Sequence, residues 1–267
     1  MKQTQSMRFA VLNGRLLERA AIAISPFSDG FMFGCGVFET LKVTNGSPEF
    51  WVDHQTRLER GMTELGLVSG LNPGVRSRCE ELIRAEGARE AVLKIVMFQD
   101  EGLVSELILL RDFVYTEEHY KRGFSLKVVA GRTSGEALSR LKTQNYLCNL
   151  LALRSAKAEG FDEVIFVDGQ ERVFEGATAN IFAVRNDILY TPPLVHGILP
   201  GVVRGRLLKA TELAIKERTL TVYDLKTADE VFLSNSVFGI MPVREIQGQG
   251  YDDFSTAERC RSLLASH

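Results

Sequence analysis

Hydrophobic and polar positions along this 267-residue chain recur in two periods, one of about two residues and one of about three and a half, which mark strands and helices. Residues 9–13 and 37–44, the latter reading VFETLKVT, are rich in β-branched and apolar side chains and are separated by Ser-Pro and Gly signals. Both are predicted strands. Residues 53–66, DHQTRLERGMTELG, open on a capping Asp, space Leu58, Met62 and Leu65 along one face and stop at Gly66, which predicts a helix. A second helix around 72–87 and strands at 91–98, 105–111 and 113–116 complete an α+β unit. The polar run TEEHYKRG, 116–123, reads as a junction, so the expected domains are 1–118 and 123–267.

The second half reads as a strand at 124–130, a long helix from near Asn145 to Gly160, strand 164–168, a turn at Gly169-Gln170 and strand 180–184. A Pro-Pro loop then leads to a helix at 201–217, a strand at 219–223, the strand EVFLS and a C-terminal helix from about 254. Short hairpin-like strands mixed with a few helices favour an α+β or barrel-like arrangement over regular βαβ winding.

Composition narrows the function. The chain is 45% hydrophobic and 25% charged, with 32 basic and 34 acidic residues and a net charge of -2, so no basic field is present for nucleic acid or an anionic membrane. No stretch approaches the roughly 20 apolar residues that span a bilayer, and the N-terminus lacks the apolar run of a signal peptide, so the expected location is cytoplasmic. The four cysteines and four histidines show no metal-like spacing, and no metal is expected. Small-molecule chemistry by other groups is the remaining class.

Four segments carry that chemistry. Lys142, in LSRLKTQNYL, is either a solvated surface lysine or a nucleophile; Asn145 and Tyr146 follow it, the latter a phenol suited to an oxyanion on a bound ring. Glu175, in RVFEGATANIF (172–182), is either an exposed turn residue or the partner of a pyridine nitrogen, where its charge keeps the ring protonated. GILPGVVRGRLL (197–208) runs a Gly/Pro loop into a helix, an arrangement that suits phosphate or simply starts a helix. FLSNSVFG (232–239) offers Ser234, Asn235 and Ser236 as further donors to phosphate or carboxylate.

Taken in order, GxGVFETLKV, H-x-x-RL, LKTxNYL, EVIFVDxxxxVFEGATANIF, TPPLxxGILPGVVR and ADEVFLSNS resemble the signature of class IV aminotransferases, the fold-type IV pyridoxal-phosphate enzymes. That family includes branched-chain and D-amino acid aminotransferases, amine transaminases and aminodeoxychorismate lyase. The resemblance runs from about residue 8 to the C-terminus. It implies a two-domain α+β fold: a small N-terminal α+β domain, a larger C-terminal pseudo-barrel α/β domain, pyridoxal 5'-phosphate in the cleft between them, and a homodimer.

By this resemblance Lys142 is the Schiff-base and catalytic lysine, Glu175 the carboxylate for the pyridine nitrogen, Tyr146 the donor to the phenolic oxygen and Arg57 the phosphate-binding arginine. Leu199 matches the side chain that packs on the ring, and Val202 and Val203 the backbone amides that cradle phosphate. The family usually has Thr where Val203 stands, so Ser236 must carry more of the phosphate clamp. Phe38, Lys94 and Asn235 are the expected substrate contacts.

The implied reaction moves an amino group between an amino acid, branched-chain amino acids among the candidates, and a 2-keto acid. The alternative is release of pyruvate and 4-aminobenzoate from aminodeoxychorismate. Lys94 stands where branched-chain enzymes have an arginine, and reads equally as a carboxylate partner or a solvent-facing strand lysine. FQDEGLVSE after that strand replaces cations found in many lyases and D-amino acid enzymes with Asp100 and Glu101, which weighs toward the aminotransferase, while the VFET and KTxNYL wording pulls back toward the lyase. A non-catalytic binding protein or a cofactor-free aldolase would leave Tyr146, Glu175 and residues 199–203 without a joint role.

Overall fold

A computed structural model describes residues 7–67, 73–131 and 137–265. They divide into two units, Met1–Val114 with Leu141–Asn145, and Tyr115–Arg140 with Tyr146–His267.

The first unit comprises β1 (Phe9–Leu12), β2 (Arg15–Glu18), α1 (Asp29–Phe33), β3 (Gly36–Thr44), β4 (Ser47–Pro48), α2 (Trp51–Glu64), α3 (Val75–Ala85), β5 (Ala91–Asp100) and β6 (Leu103–Arg111). Among the described residues its strands pair antiparallel in the order β2-β1-β6-β5-β3-β4. Strand alternation turns Val37, Leu41 and Val43 of β3 and Leu93, Ile95 and Met97 of β5 to one side. There they meet Leu58 and Met62 of α2 and Cys79, Leu82 and Ile83 of α3 in one buried core. Each such aliphatic side chain contributes about 1.5–3 kcal/mol by leaving water. Gly61 lets α2 lie close on the sheet, since a Cβ there would sit 3.1 Å from a Val37 methyl.

Several expectations change here. The helix expected at 53–66 with a capping Asp runs Trp51–Glu64 with Phe50 at its N-cap, so Asp53 lies inside its first turn. Strand 9–13 ends at Leu12 because Asn13 and Gly14, at φ 48° and 81°, form the tight turn of a hairpin with β2. Residues 113–116 form no strand, and Thr116 instead caps a helix with a reciprocal His119 box. The second helix runs Val75–Ala85, and its expected first residue, 72, lies outside the described residues.

The second unit comprises α4 (Glu117–Arg122), β7 (Phe124–Ala130), α5 (Leu147–Ala158), β8 (Glu163–Val167), β9 (Arg172–Gly176), β10 (Asn180–Arg185), β11 (Ile188–Thr191), α6 (Val202–Lys209), β12 (Ile215–Glu217), β13 (Leu220–Thr221), α7 (Val222–Lys226), β14 (Glu230–Asn235), β15 (Gly239–Ile246), β16 (Gln249–Gly250) and α8 (Ser255–Ala265). Its described strands follow the order β12-β11-β10-β14-β15-β7-β8-β9-β13, with β16 on β15. Pairing is parallel at β11–β12, β15–β7 and β7–β8 and antiparallel elsewhere.

Ile165, Val173, Ile181, Leu233, Met241 and Val243 share one core, while Ala156 of α5, Val164, Phe174 and Ile198 form another. The sheet is therefore apolar on both sides around β8 and β9. Phe182 and Phe232, paired across β10 and β14, stack with centroids 5.0 Å apart.

The polar run 116–123 belongs to this unit as α4. The helix expected at 201–217 stops at Lys209, because Ile215–Glu217 pairs with β11. The strand expected at 219–223 is cut short at Thr221, whose hydroxyl caps α7 through Asp224. Among the described residues no helix is long and apolar enough to cross a membrane.

Candidate active site

Lys142 belongs to the first unit through its backbone. The Phe38 amide donates to the Lys142 carbonyl (2.8 Å), Val37 and Thr143 form an antiparallel bridge, and the Gln144 amide donates to the Gly36 carbonyl (3.0 Å). Leu141–Asn145 thus lies along the edge of β3. Asn145 anchors its far end by donating to the Gly34 carbonyl (3.2 Å). Gly34 and Gly36 make this approach possible, since Cβ atoms there would come within 2.7 Å of the Asn145 amide oxygen and 2.2 Å of the Gln144 amide oxygen.

Phe38 is the platform for two amines. The Lys142 Nζ lies 4.6 Å and the Lys94 Nζ 4.3 Å from its ring centroid. Lys94 is half-buried rather than solvent-facing. It forms no ion pair with a carboxylate among the described residues, and burial, with Arg111 nearby, pushes its ammonium below the usual lysine range. Asp100 and Glu101 point elsewhere, accepting hydrogen bonds from Ser105 (2.9 Å) and Ser25 (2.8 Å).

Arg57, on α2, is held by Glu39 of β3. Its Nε and Nη2 donate to the two oxygens of Glu39 at 2.7 and 2.6 Å, and His54 Nδ1 reaches the same carboxylate at 2.6 Å. Burial opposes ionisation of Glu39, but the charge and hydrogen bonds of Arg57, with those of His54, hold its carboxyl down at about 2. Burial also pushes His54 below its ordinary value, against the pull of Glu39. A neutral His54 donating from Nδ1 therefore leaves Nε2 as an acceptor, and that atom is buried without a hydrogen-bond partner among the described residues. The sequence reading missed Glu39 and His54. Their signal was present: Glu39 shares the strand face of Val37 and Leu41, and His54 lies one turn before Arg57.

In the second unit Glu175 lies within β9, one residue before its end, and is 6% exposed, which removes the exposed-turn alternative. Its Oε2 accepts from Asn180 Nδ2 (3.1 Å) and from the Leu199 amide (3.0 Å), and the same Asn180 nitrogen donates to the Leu199 carbonyl (3.0 Å). Asn180, missed in the sequence reading, thus ties the carboxylate to the loop before α6. Gly201 has to be glycine, because a Cβ would lie 2.0 Å from the Asn180 amide oxygen. Val202 and Val203 open α6 and are buried, so the apolar Val203 side chain packs inward.

The turn between Glu175 and Asn180 is held from several directions. Tyr146 Oη and Asn149 Nδ2 (2.9 Å) both donate to the Ala177 carbonyl. Buried Glu163 accepts from the Ala177 amide (3.2 Å) and from Thr178 Oγ1 (2.5 Å). Asn235 donates to the Thr178 carbonyl (3.2 Å), while its Oδ1 accepts from the amides of Val237 (2.8 Å) and Phe238 (2.9 Å). Its amide therefore shapes the turn in which Ser236 sits half-buried.

The family model for class IV aminotransferases matches residues 36–246. The chain is 28% identical to the aminodeoxychorismate lyase of Bacillus subtilis strain 168, over 90% of this chain and 87% of the relative. It is 26% identical to a D-alanine aminotransferase of Bacillus licheniformis, over 90% and 88%. Its fold matches the branched-chain amino acid aminotransferase of Escherichia coli with a TM-score of 0.89 at 22% identity, covering 98% of this chain and 94% of that one. With most of its length inside the family match and a fold-type IV architecture, the chain belongs to the class IV aminotransferases.

Proposed function

We propose that the protein is a pyridoxal 5'-phosphate-dependent aminotransferase that works through a Schiff base on Lys142, exchanging an amino group between an amino acid and a 2-keto acid. The observation that carries this reading is Glu175, a buried carboxylate held rigidly by Asn180 and the Leu199 amide. A fixed negative charge of this kind suits a protonated pyridine nitrogen.

The residues fit the cofactor. Gly201 leads into the start of α6, where the first amides of a helix and its dipole favour phosphate, and Ser234 Oγ, on β14, is buried without a hydrogen-bond partner among the described residues. Val202, Val203, Ser236 and Arg57 would hold the phosphate, Glu175 the ring nitrogen, Tyr146 the phenolic oxygen and Leu199 one face of the ring. When bound, pyridoxal phosphate supplies the electron sink that stabilises negative charge at the substrate α-carbon. Lys142 Nζ would take the α-proton and deliver it to a carbon other than the α-carbon, so that hydrolysis by water can then release the keto acid. Phe38 supports that amine, and Lys94 pairs with a substrate carboxylate.

Lys94 also favours a second reading. A half-buried cation without a carboxylate partner among the described residues, close to Arg111, suits the dicarboxylic substrate of an aminodeoxychorismate lyase. We propose a homodimer in the cytoplasm. Phe27, Phe31 and Phe33 of the first unit and Leu147 and Leu151 of the second are 80%, 68%, 69%, 63% and 53% exposed, apolar surface that a second copy would cover.

The test is a substrate panel. Branched-chain, aromatic and D-amino acids offered with 2-oxoglutarate should yield keto acids only when the acceptor is present. Release of pyruvate and 4-aminobenzoate from aminodeoxychorismate without any keto acceptor would establish the lyase instead.

A further inference from the structure

Two donors converge on one buried oxygen. Ala177 is 1% exposed, and its carbonyl accepts from both the Tyr146 hydroxyl and Asn149 Nδ2. The donors stand three residues apart at the start of α5, so they share one face of the helix. A carbonyl has two lone pairs and accommodates both, whereas a tyrosine hydroxyl has a single proton. While that proton lies on Ala177 it is not available to an acceptor on a ligand.

The turn cannot follow Tyr146 to release it. The Ala177 amide and Thr178 hydroxyl are held by Glu163, the Thr178 carbonyl by Asn235, and the Gly176 amide donates to the Ala179 carbonyl at 2.7 Å. If Tyr146 turned its proton away, the buried carbonyl would lose that donor, and only a second donor avoids the desolvation cost.

We infer that Asn149 is a positioning residue for Tyr146: by keeping the Ala177 carbonyl satisfied, it lets the Tyr146 hydroxyl turn its proton to the phenolic oxygen of bound cofactor. This rests on the cofactor reading above. Its consequence is a specific coupling. Loss of Asn149 penalises the bound state only when Tyr146 has a proton to move, because without Tyr146 the carbonyl is equally unsatisfied with or without cofactor.

The experiment is a double-mutant cycle on the full-length protein, read by the dissociation constant of pyridoxal phosphate and by the ratio of its long- and short-wavelength absorbance bands at one pH. Tyr146→Phe and Asn149→Ala should each weaken binding about tenfold and change the band ratio in the same direction. In the Tyr146→Phe background, Asn149→Ala should change neither quantity further. Asn149→Asp, similar in size but lacking the donor, guards against a packing loss and should reproduce the single-variant effect.

Unchanged binding and band ratio in Asn149→Ala, or equal weakening in both backgrounds, would overturn the inference and leave Asn149 as a brace for the turn. A wild-type protein that takes up no pyridoxal phosphate in the first titration would overturn the cofactor reading itself, and the inference with it.

Discussion

The amide of Phe38 donates to the carbonyl of Lys142 over 2.8 Å, and the amine of the same lysine lies 4.6 Å from the centre of the Phe38 ring. One residue of β3 therefore fixes both ends of the lysine. The backbone bond survives any side-chain change, so a substitution isolates the ring. Phe38→Leu should lower kcat/KM by roughly 5- to 30-fold, about 1–2 kcal/mol, the range of a partly desolvated cation–π contact. Steady-state kinetics beside a thermal melt checks it, and a fall in Tm with kcat/KM intact would mean the ring serves packing alone.

Lys94 borders the same ring and should act on substrate rather than on the chemistry. Lys94→Met, which keeps the stem but removes the charge, should raise KM for a dicarboxylic acceptor about tenfold or more while changing kcat little. Equal effects on mono- and dicarboxylic substrates would contradict this role.

Asn180→Ala should remove the tie between Glu175 and the loop before α6. Leaving a buried carboxylate oxygen and a backbone carbonyl short of a donor should cost about 1–3 kcal/mol of stability, measured by denaturant unfolding, and weaken cofactor binding. Gly201→Ala should produce a related loss from the opposite direction, because its methyl enters the space of the Asn180 amide.

These roles show what the sequence could disclose. Lys142, Tyr146 and Glu175 stand in ordered motifs and were legible as candidates. Asn180 lies inside one of those motifs, but its function depends on Leu199, which reaches it only through the fold. Glu39 sits in the strand pattern VFETL, where a carboxylate on the apolar face is detectable, yet its partners come from α2. Asn149 lies within the expected helix, and only the fold brings the Ala177 carbonyl to it. The helix expected through residue 217 failed for the same reason: strand pairing with β11, a tertiary contact, overrode a local pattern.

Acid should weaken the first unit through Glu39 and His54. The Glu39 carboxyl lies at about 2 against an ordinary 4.5, so its contribution is complete above 4.5 and is lost as pH falls toward 2. His54 is held below 6.5, so the unfolded chain takes up its proton first and stability falls with acidification from that point. Glu39→Gln, which leaves Arg57 without this buried counter-charge, should cost about 3–5 kcal/mol near neutral pH. The Tm difference from wild type should shrink as pH falls from 4.5 toward 2; a difference independent of pH would contradict the assignment.

Lys142 is the residue proposed to form the Schiff base. Borohydride reduction of the protein loaded with pyridoxal phosphate, followed by proteolysis and mass spectrometry, tests it most directly. The pyridoxyl mass should appear on the peptide containing Lys142 and be absent from Lys142→Ala, which should also lose turnover. Label on Lys94 instead, or retained turnover in Lys142→Ala, would contradict the account.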